Sequence, residues 1–220
     1  MIKGVIFDMD GTLLDTMYFW DKVGDTYLRQ MGREPEPDLG KKMLSFSMRG
    51  GAEYLQSAYD LPLTAEEVQE GIRNVINNFY ETTADFKPGA RQFMERLKAL
   101  GIPMVLATAT DRPQVEAAFR RLGVLEDFQC VLTCSEVGRD KTEPEIYFRA
   151  AECMGTRPED TWVFEDTTHA AATVKRAGFR LAGVYDEASR GMQYDLRDLS
   201  DYYLLDFTDF ESFYRFAQEN

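Results

Sequence analysis

Five short apolar runs alternate with stretches of helical periodicity along most of the 220-residue chain. The runs are rich in β-branched and aromatic residues, which is typical of strands that are buried on both faces of a sheet. They cover residues 3–8, 103–108, 129–133, 161–165 and 180–185. Strands that alternate with helices form a parallel sheet with right-handed crossovers. The sequence therefore predicts an α/β fold with a parallel sheet.

The alternation is interrupted between Asp15 and Asp85, where the pattern is helical and shows no convincing strand. Thr64 and Glu67 within this stretch match a capping box, which predicts a helix start. The chain re-enters the sheet pattern at the turn-rich residues 86–89. We expect a discontinuous core of residues 1–15 and 85–220 with an inserted all-helical domain of residues 16–84. A last strand at 201–205 and a helix at 209–218 complete the prediction.

The first strand ends in Asp8-Met9-Asp10-Gly11-Thr12. Ligands of open α/β sheets bind at the carboxyl ends of the strands. Carboxylates at positions i and i+2 can face the same side of an extended chain, and Mg²⁺ prefers such hard oxygen ligands. One carboxylate can attack phosphorus while the other moves a proton to or from the leaving group. This segment predicts covalent phosphoryl transfer.

Three later segments could complete such a site. Thr108 ends the second strand, beside backbone amides that suit a phosphoryl oxygen. Lys141 precedes a helix and could supply the cation that an acidic protein needs at a site for anions. Glu165 ends the fourth apolar run, Asp166 follows it, and both could join Asp8 in a magnesium shell. Taken singly, each feature is also common at strand ends and on helix surfaces.

Together these segments resemble the haloacid dehalogenase superfamily of aspartate-nucleophile phosphotransferases, over essentially the whole chain. The matching pieces, in the family's order, are residues 8–16, Thr108, Lys141 with 143–147, and 164–166 followed by 175–178. The resemblance implies a Rossmann-like, three-layer core. The helical insert is similar to the small cap of the subgroup with β-phosphoglucomutase and phosphoglycolate phosphatase, in which a mobile cap closes over the substrate and excludes water.

The resemblance also implies roles for individual residues. Asp8 would be the nucleophile and Asp10 the general acid/base. The phosphoryl group would be bound by Thr108, Ala109 and Lys141. The implied magnesium ligands are Asp8, Asp10 through its carbonyl, Glu165 and Asp166. Met9 and Phe164 are expected to pack in the core.

The insert should determine which member of the family the chain is. Mutases of the subgroup use a cap histidine and a cap lysine. This chain has Met17-Tyr18-Phe19-Trp20 in the histidine window and Ser45 near the lysine position, so a sugar-phosphate mutase is a disfavoured alternative. Arg49 resembles a cap arginine that contacts a substrate phosphate or carboxylate, and Trp20 could line the substrate pocket or simply pack. A phosphonatase would need Lys41 or Lys42 as its cap lysine. A non-catalytic binding module is a further alternative, and the presence of Asp8, Asp10, Lys141 and Asp166 argues against it.

We therefore expect a Mg²⁺-dependent phosphatase, a phosphoric monoester hydrolase, that acts on a small phosphorylated metabolite. A net charge of −13 should repel nucleic acid and anionic membranes. The apolar runs are far shorter than a membrane span, and the first is too short for a signal peptide, which favours a cytoplasmic location. Cys130, Cys134 and Cys153 lack metal or redox spacing and are predicted to be reduced thiols. A monomer is the simplest expectation because the cap must move.

Overall fold

The computed structural model describes residues 1–43 and 46–220, and its contacts divide the chain into two compact units. One unit combines Met1–Asp15 with Asp85–Asn220, and we call it the sheet unit. The other is Thr16–Ala84, the helical unit.

The helical unit is built from five helices among its described residues. These are α1 (Met17–Trp20), α2 (Val23–Gln30), α3 (Leu39–Met43), α4 (Met48–Ala58) and α5 (Ala65–Thr82). The capping box predicted at the start of α5 is confirmed: the Glu67 amide donates to Thr64 Oγ1 at 3.2 Å, and the Thr64 amide donates to Glu67 Oε2 at 2.8 Å. Inside this unit the Phe19 ring stacks on the Phe79 ring, with centroids 3.8 Å apart.

The sheet unit contains a six-stranded parallel sheet in the order β3-β2-β1-β4-β5-β6. Its strands are β1 (Gly4–Phe7), β2 (Met104–Thr108), β3 (Cys130–Thr133), β4 (Thr161–Glu165), β5 (Arg180–Val184) and β6 (Tyr202–Leu204). The helices on its two sides are α6 (Ala90–Ala99), α7 (Arg112–Leu122), α8 (Cys134–Val137), α9 (Glu145–Met154), α10 (Thr168–Arg176), α11 (Gln193–Leu199) and α12 (Phe210–Glu219). The predicted α/β class with a Rossmann-like parallel sheet is confirmed.

Strand β1 lies inside the sheet because its side chains can be buried on both faces. Val5, Ile6 and Phe7 are fully buried, as a strand between two parallel neighbours requires. The chain builds β2 and β3 on one side of β1 and β4 to β6 on the other. The sheet therefore has its topological switch point between β1 and β4.

Aromatic rings fill the space between α6, α12 and the sheet. The Phe93 ring of α6 lies 4.9–5.5 Å, centroid to centroid, from four other rings. These belong to Phe164, Phe207, Phe210 and Phe213. Met9 and Phe164 are fully buried, as the sequence predicts.

The two chain segments that connect the units run side by side in the sheet unit. The Asp15 amide donates to the Asp85 carbonyl at 2.9 Å, and the Lys87 amide donates to the Leu13 carbonyl at 2.8 Å. Leu14 and Phe86 form an antiparallel bridge between these bonds. The two ends of the insertion therefore lie next to each other in the sheet unit.

The cysteine prediction was wrong for two of the three residues. The structure pairs Cys130 with Cys153 in a disulfide, with Cα atoms 6.8 Å apart, while Cys134 is a free thiol. Packing of α9 on β3 brings the start of the strand close to the end of the helix, a proximity that spacing along the chain does not reveal. In the described part of the chain, no helix has the length and apolar character needed to cross a bilayer.

The Phe93 cluster gives a direct test of the core. Replacing Phe93 by Ala should lower the free energy of unfolding by about 3–5 kcal/mol, because a fully buried ring and its packing contacts are lost. Urea denaturation followed by circular dichroism would measure this change. Leu205→Ala is the control, since Leu205 is 73% exposed and its loss should cost less than about 0.5 kcal/mol. Equal effects of the two changes would contradict the proposed packing.

Candidate active site

Three carboxylates meet at the carboxyl ends of β1 and β4. Phe7 pairs with Phe164 in the sheet, so the residues that come directly after them, Asp8 and Glu165, lie side by side. The Asp8 amide donates to the Phe164 carbonyl at 3.1 Å. One oxygen each from Asp8, Glu165 and Asp166 lies within 4.8 Å of the other two, and all three residues are buried. This acidic cluster occupies the switch point of the sheet, where ligands of such folds bind.

Lys141 connects two of these acids. Its ammonium group donates to Asp8 Oδ1 and to Glu165 Oε1, the latter at 2.6 Å, and the residue is only 7% exposed. Helix α10 fixes the loop that carries the lysine: Thr173 Oγ1 and Arg176 Nη2 donate to the Thr142 carbonyl at 3.1 and 3.2 Å. The cation that the acidic composition makes necessary is therefore built into the cluster.

Burial controls the protonation of the cluster. It raises the pKa of Asp8 to about 6, although the Lys141 charge opposes the shift. Burial, followed by the charges of Asp8 and Glu165, holds the pKa of Asp166 well above its usual range. For Lys141, burial alone would lower the pKa, but the carboxylates of Asp8 and Glu165 raise it. Lys141 therefore stays charged. One ammonium group does not balance the charges of the three carboxylates.

The cluster fits a divalent cation. Three ionised carboxylates and one ammonium carry two net negative charges, which one Mg²⁺ would cancel. Carboxylate oxygens are the ligands that Mg²⁺ prefers. Thr12 Oγ1 donates to Asp166 Oδ1 at 3.0 Å and so orients this acid. Asp8, Glu165 and Asp166 are the residues that would hold the metal.

Asp10 lies next to the cluster but makes different contacts. Its Oδ2 accepts a hydrogen bond from Thr110 Oγ1 at 2.6 Å, and the residue is partly exposed. Gly11, at φ +76°, turns the chain immediately after it, a conformation that suits glycine. Its carboxylate is not among the three that meet in the acidic cluster. Its predicted roles, acid/base catalysis and a carbonyl contact to the metal, stay predictions.

Thr108 and Ala109 lie at the same edge of the sheet as the acids. Thr108 is the last residue of β2 and is buried, and its Oγ1 accepts a hydrogen bond from the Thr110 amide at 3.0 Å. Ala109 comes directly after the strand and is exposed. Their binding of a phosphoryl group stays a prediction.

The two residues predicted to contact substrate from the helical unit are partly or largely exposed. Arg49 on α4 forms ion pairs with Glu53 at 2.9 Å and with Glu66 at 3.9 Å. Trp20 at the end of α1 is partly buried, with its ring edge-on to Phe19 and centroids 6.1 Å apart. Ser45, compared above with the cap lysine of mutases, lies outside the described residues.

Three contacts of the site were missed by the sequence analysis: Thr12 to Asp166, Thr110 to Asp10, and Tyr147 to Glu165. Thr12 and Thr110 each stand two residues from a predicted site residue, so their closeness along the chain to Asp10 and Thr108 could have pointed to them. Tyr147 carries no such signal, because its direction depends on how α9 packs on the sheet. Burial raises the pKa of Tyr147 well above its usual range, with the charges of Glu165 and Asp8 adding to the effect.

Comparison with known proteins identifies the class. A profile of the haloacid dehalogenase-like hydrolases matches residues 2–178, and the chain belongs to this family. A phosphorylated carbohydrates phosphatase of Thermotoga maritima is 29% identical over 195 residues, covering 86% of this chain and 88% of that protein. The β-phosphoglucomutase of Bacillus subtilis is 25% identical over 192 residues, covering 83% of each chain.

Comparison with a solved structure supports the fold. A β-phosphoglucomutase candidate from Thermotoga maritima superposes with a TM-score of 0.83 at 24% identity, over 97% of this chain and 99% of that one. The predicted superfamily and fold are confirmed. The predicted enzyme class, a phosphoric monoester hydrolase, agrees with the phosphatase among the relatives.

The raised pKa values predict how metal stabilises the protein. An acid whose pKa is raised by folding makes the folded protein less stable as pH rises. For Asp8 the loss runs from pH 3.8, its pKa in the unfolded chain, through about 6, its pKa in the folded protein. Without metal, Asp8 should therefore destabilise the fold at about pH 7.5 and much less at about pH 5. Mg²⁺ should raise the melting temperature more at the higher pH, where it need not displace a proton.

Differential scanning fluorimetry with and without Mg²⁺ at both pH values would measure this difference. Asp8→Asn removes the titrating carboxylate and should shrink the shift produced by Mg²⁺. Asp195→Asn, an exposed site on α11, is the charge-matched control and should behave as the wild type. An equal Mg²⁺ effect at the two pH values would contradict the prediction.

Proposed function

We propose that the chain is a Mg²⁺-dependent phosphatase that hydrolyses a small phosphorylated metabolite through a phosphoaspartate at Asp8. The observation that carries the proposal is the acidic cluster itself, with the Asp8 carboxylate held by buried Lys141 at the switch point of the sheet. A buried carboxylate fixed by a cation is oriented for attack without being neutralised by a proton.

Two displacements at phosphorus complete the proposed reaction. In the first, an oxygen of Asp8 bonds to phosphorus, the ester P–O bond breaks, and Asp10 donates a proton to the departing oxygen. In the second, Asp10 takes a proton from water, the water oxygen bonds to phosphorus, and the bond to Asp8 breaks. Inorganic phosphate leaves, and both aspartates return to their initial states.

The remaining residues of the site would stabilise charge. Lys141, the Thr108 hydroxyl and the Ala109 amide are proposed to bind phosphoryl oxygens, where fixed donors stabilise developing negative charge. Mg²⁺ held by Asp8, Glu165, Asp166 and the Asp10 carbonyl would supply further positive charge at the phosphoryl group. The hydrogen bond from Thr110 would orient the Asp10 carboxylate between its donor and acceptor roles.

Phosphorylated carbohydrates are the substrate class that we propose first, because a relative with 29% identity carries that name. Arg49 and Trp20 are the proposed substrate contacts of the helical unit, on the basis of the family resemblance. We propose that the enzyme acts as a monomer. A cytoplasmic location is also part of the proposal, although the Cys130–Cys153 disulfide is more typical of oxidising compartments.

Hydrolysis of p-nitrophenyl phosphate with and without Mg²⁺ tests the reaction. Asp8→Asn should reduce turnover to background, and Asp10→Asn should reduce it by about 10²–10⁴-fold, because general acid/base catalysis is lost. Asp195→Asn should leave it unchanged. Mass spectrometry of rapidly quenched enzyme should find one phosphoryl group on the peptide that contains Asp8. Turnover by Asp8→Asn equal to the wild type would disprove the nucleophile assignment.

A panel of sugar phosphates, sugar-alcohol phosphates and nucleoside monophosphates then tests the substrate class. Release of inorganic phosphate from sugar phosphates would support the phosphatase. Isomerised sugar phosphate without free phosphate would favour the second candidate, a sugar-phosphate mutase, which the Bacillus subtilis relative represents.

A further inference from the structure

Tyr147 is a buried hydroxyl group that the proposed reaction does not use. It lies in the first turns of α9 and is fully buried. Its hydroxyl donates to Glu165 Oε1 at 3.1 Å. A carboxylate has no proton to give when ionised, so the phenol must be the donor. The tyrosine therefore contacts one acid of the cluster directly.

This contact constrains how the Glu165 carboxylate is turned. Oε1 accepts from both Tyr147 and Lys141, the latter at 2.6 Å, whereas Oε2 accepts from Thr167 Oγ1 at 3.4 Å. Each oxygen thus has its own partners, and Glu165 is only 1% exposed. Without the tyrosine hydroxyl, only two contacts from the described residues would fix the plane of the Glu165 carboxylate. These are the hydrogen bond from Thr167 Oγ1 at 3.4 Å and the one from Lys141, which Asp8 shares.

Tyr147 is itself held firmly. Its amide donates to the Pro144 carbonyl at 3.1 Å, and its ring packs near Phe179 with centroids 6.2 Å apart. Lys141 lies on the loop just before the same helix. The hydroxyl therefore ties the start of α9 to the end of β4, at the same Glu165 oxygen that accepts from the Lys141 ammonium.

We infer that Tyr147 is a positioning residue, which fixes the Glu165 carboxylate and through it the Lys141 ammonium beside Asp8 and the metal-binding acids. Its effect on turnover rests on the proposed function, whereas its effect on metal binding does not. Groups that orient metal-binding acids act without touching the metal, and their loss commonly costs about 10–100-fold in affinity or activity.

Tyr147→Phe tests this role because it removes one oxygen and keeps the ring. We expect the Mg²⁺ concentration for half-maximal activity to rise about 10-fold and kcat for p-nitrophenyl phosphate to fall about 10-fold. KM should change less than about twofold, because Lys141 keeps its charge and the proposed substrate contacts Arg49 and Trp20 are not altered. The urea midpoint should stay close to that of the wild type.

Tyr203→Phe is the matched control. This tyrosine also lies in the sheet unit, is partly buried, and donates its hydroxyl to Gln193 Oε1 at 2.6 Å, but it has no contact with the acidic cluster. Its Mg²⁺ dependence should equal that of the wild type. An unchanged Mg²⁺ dependence in Tyr147→Phe, or an equal change in Tyr203→Phe, would overturn the inference. An unfolded Tyr147→Phe protein would overturn it too, since the hydroxyl would then serve the fold.

A double-mutant cycle that combines Tyr147→Phe with Glu165→Ala tests whether Tyr147 acts through Glu165. If Tyr147 acts through Glu165, removing its hydroxyl should have no further effect once the carboxylate is gone. Additive effects would contradict the inference.

The same variants distinguish failure of the inference from failure of the proposed function. Absence of hydrolysis by folded wild-type protein would remove the phosphatase proposal alone. The Mg²⁺-induced rise in melting temperature would still decide the role of Tyr147: a smaller rise in Tyr147→Phe than in wild type and Tyr203→Phe supports it, and an equal rise contradicts it.

Discussion

The buried ammonium of Lys141 is the group on which the rest of the site depends. Carboxylates taken out of water are costly unless a partner compensates them, and removal of one partner leaves an uncompensated buried charge. The in-register pairing of β1 with β4 brings Asp8 and Glu165 close enough to share one cation. Backbone register, the loop before α9 and the donors of α10 at the Thr142 carbonyl all serve to keep that cation in place.

The sequence predicted the strands, and the candidate site residues followed from them because several of these residues stand at the strand ends. Each apolar run ends in a polar residue, and parallel strands place such ends at a common edge, so Asp8, Thr108 and Asp166 could be assigned to one region. Tyr147 could not be found this way, since its contact depends on the rotation of α9 against the sheet. The Cys130–Cys153 disulfide was missed for a related reason, because helix packing sets the approach of those residues.

The helical unit explains why substrate identity is harder to infer than chemistry. The Arg49 guanidinium, the cationic group proposed to contact substrate, is already paired with Glu53 on its own helix. An exposed pair of this kind contributes only about 0–1 kcal/mol, so an anionic ligand could take the place of Glu53 at little cost. Such an exchange depends on the ligand, whereas the Lys141 contacts are fixed by the fold.

The paired connections at Asp15 and Asp85 have an evolutionary consequence. Hydrogen bonds in the sheet unit already hold the two ends of the insertion together. Closing a loop costs entropy that grows only slowly with its length, so an insert anchored in this way can lengthen, shorten or be exchanged with little penalty to the host sheet. Under the proposed function, substrate selectivity could then change with the helical unit while the acidic cluster stays at the ends of its strands.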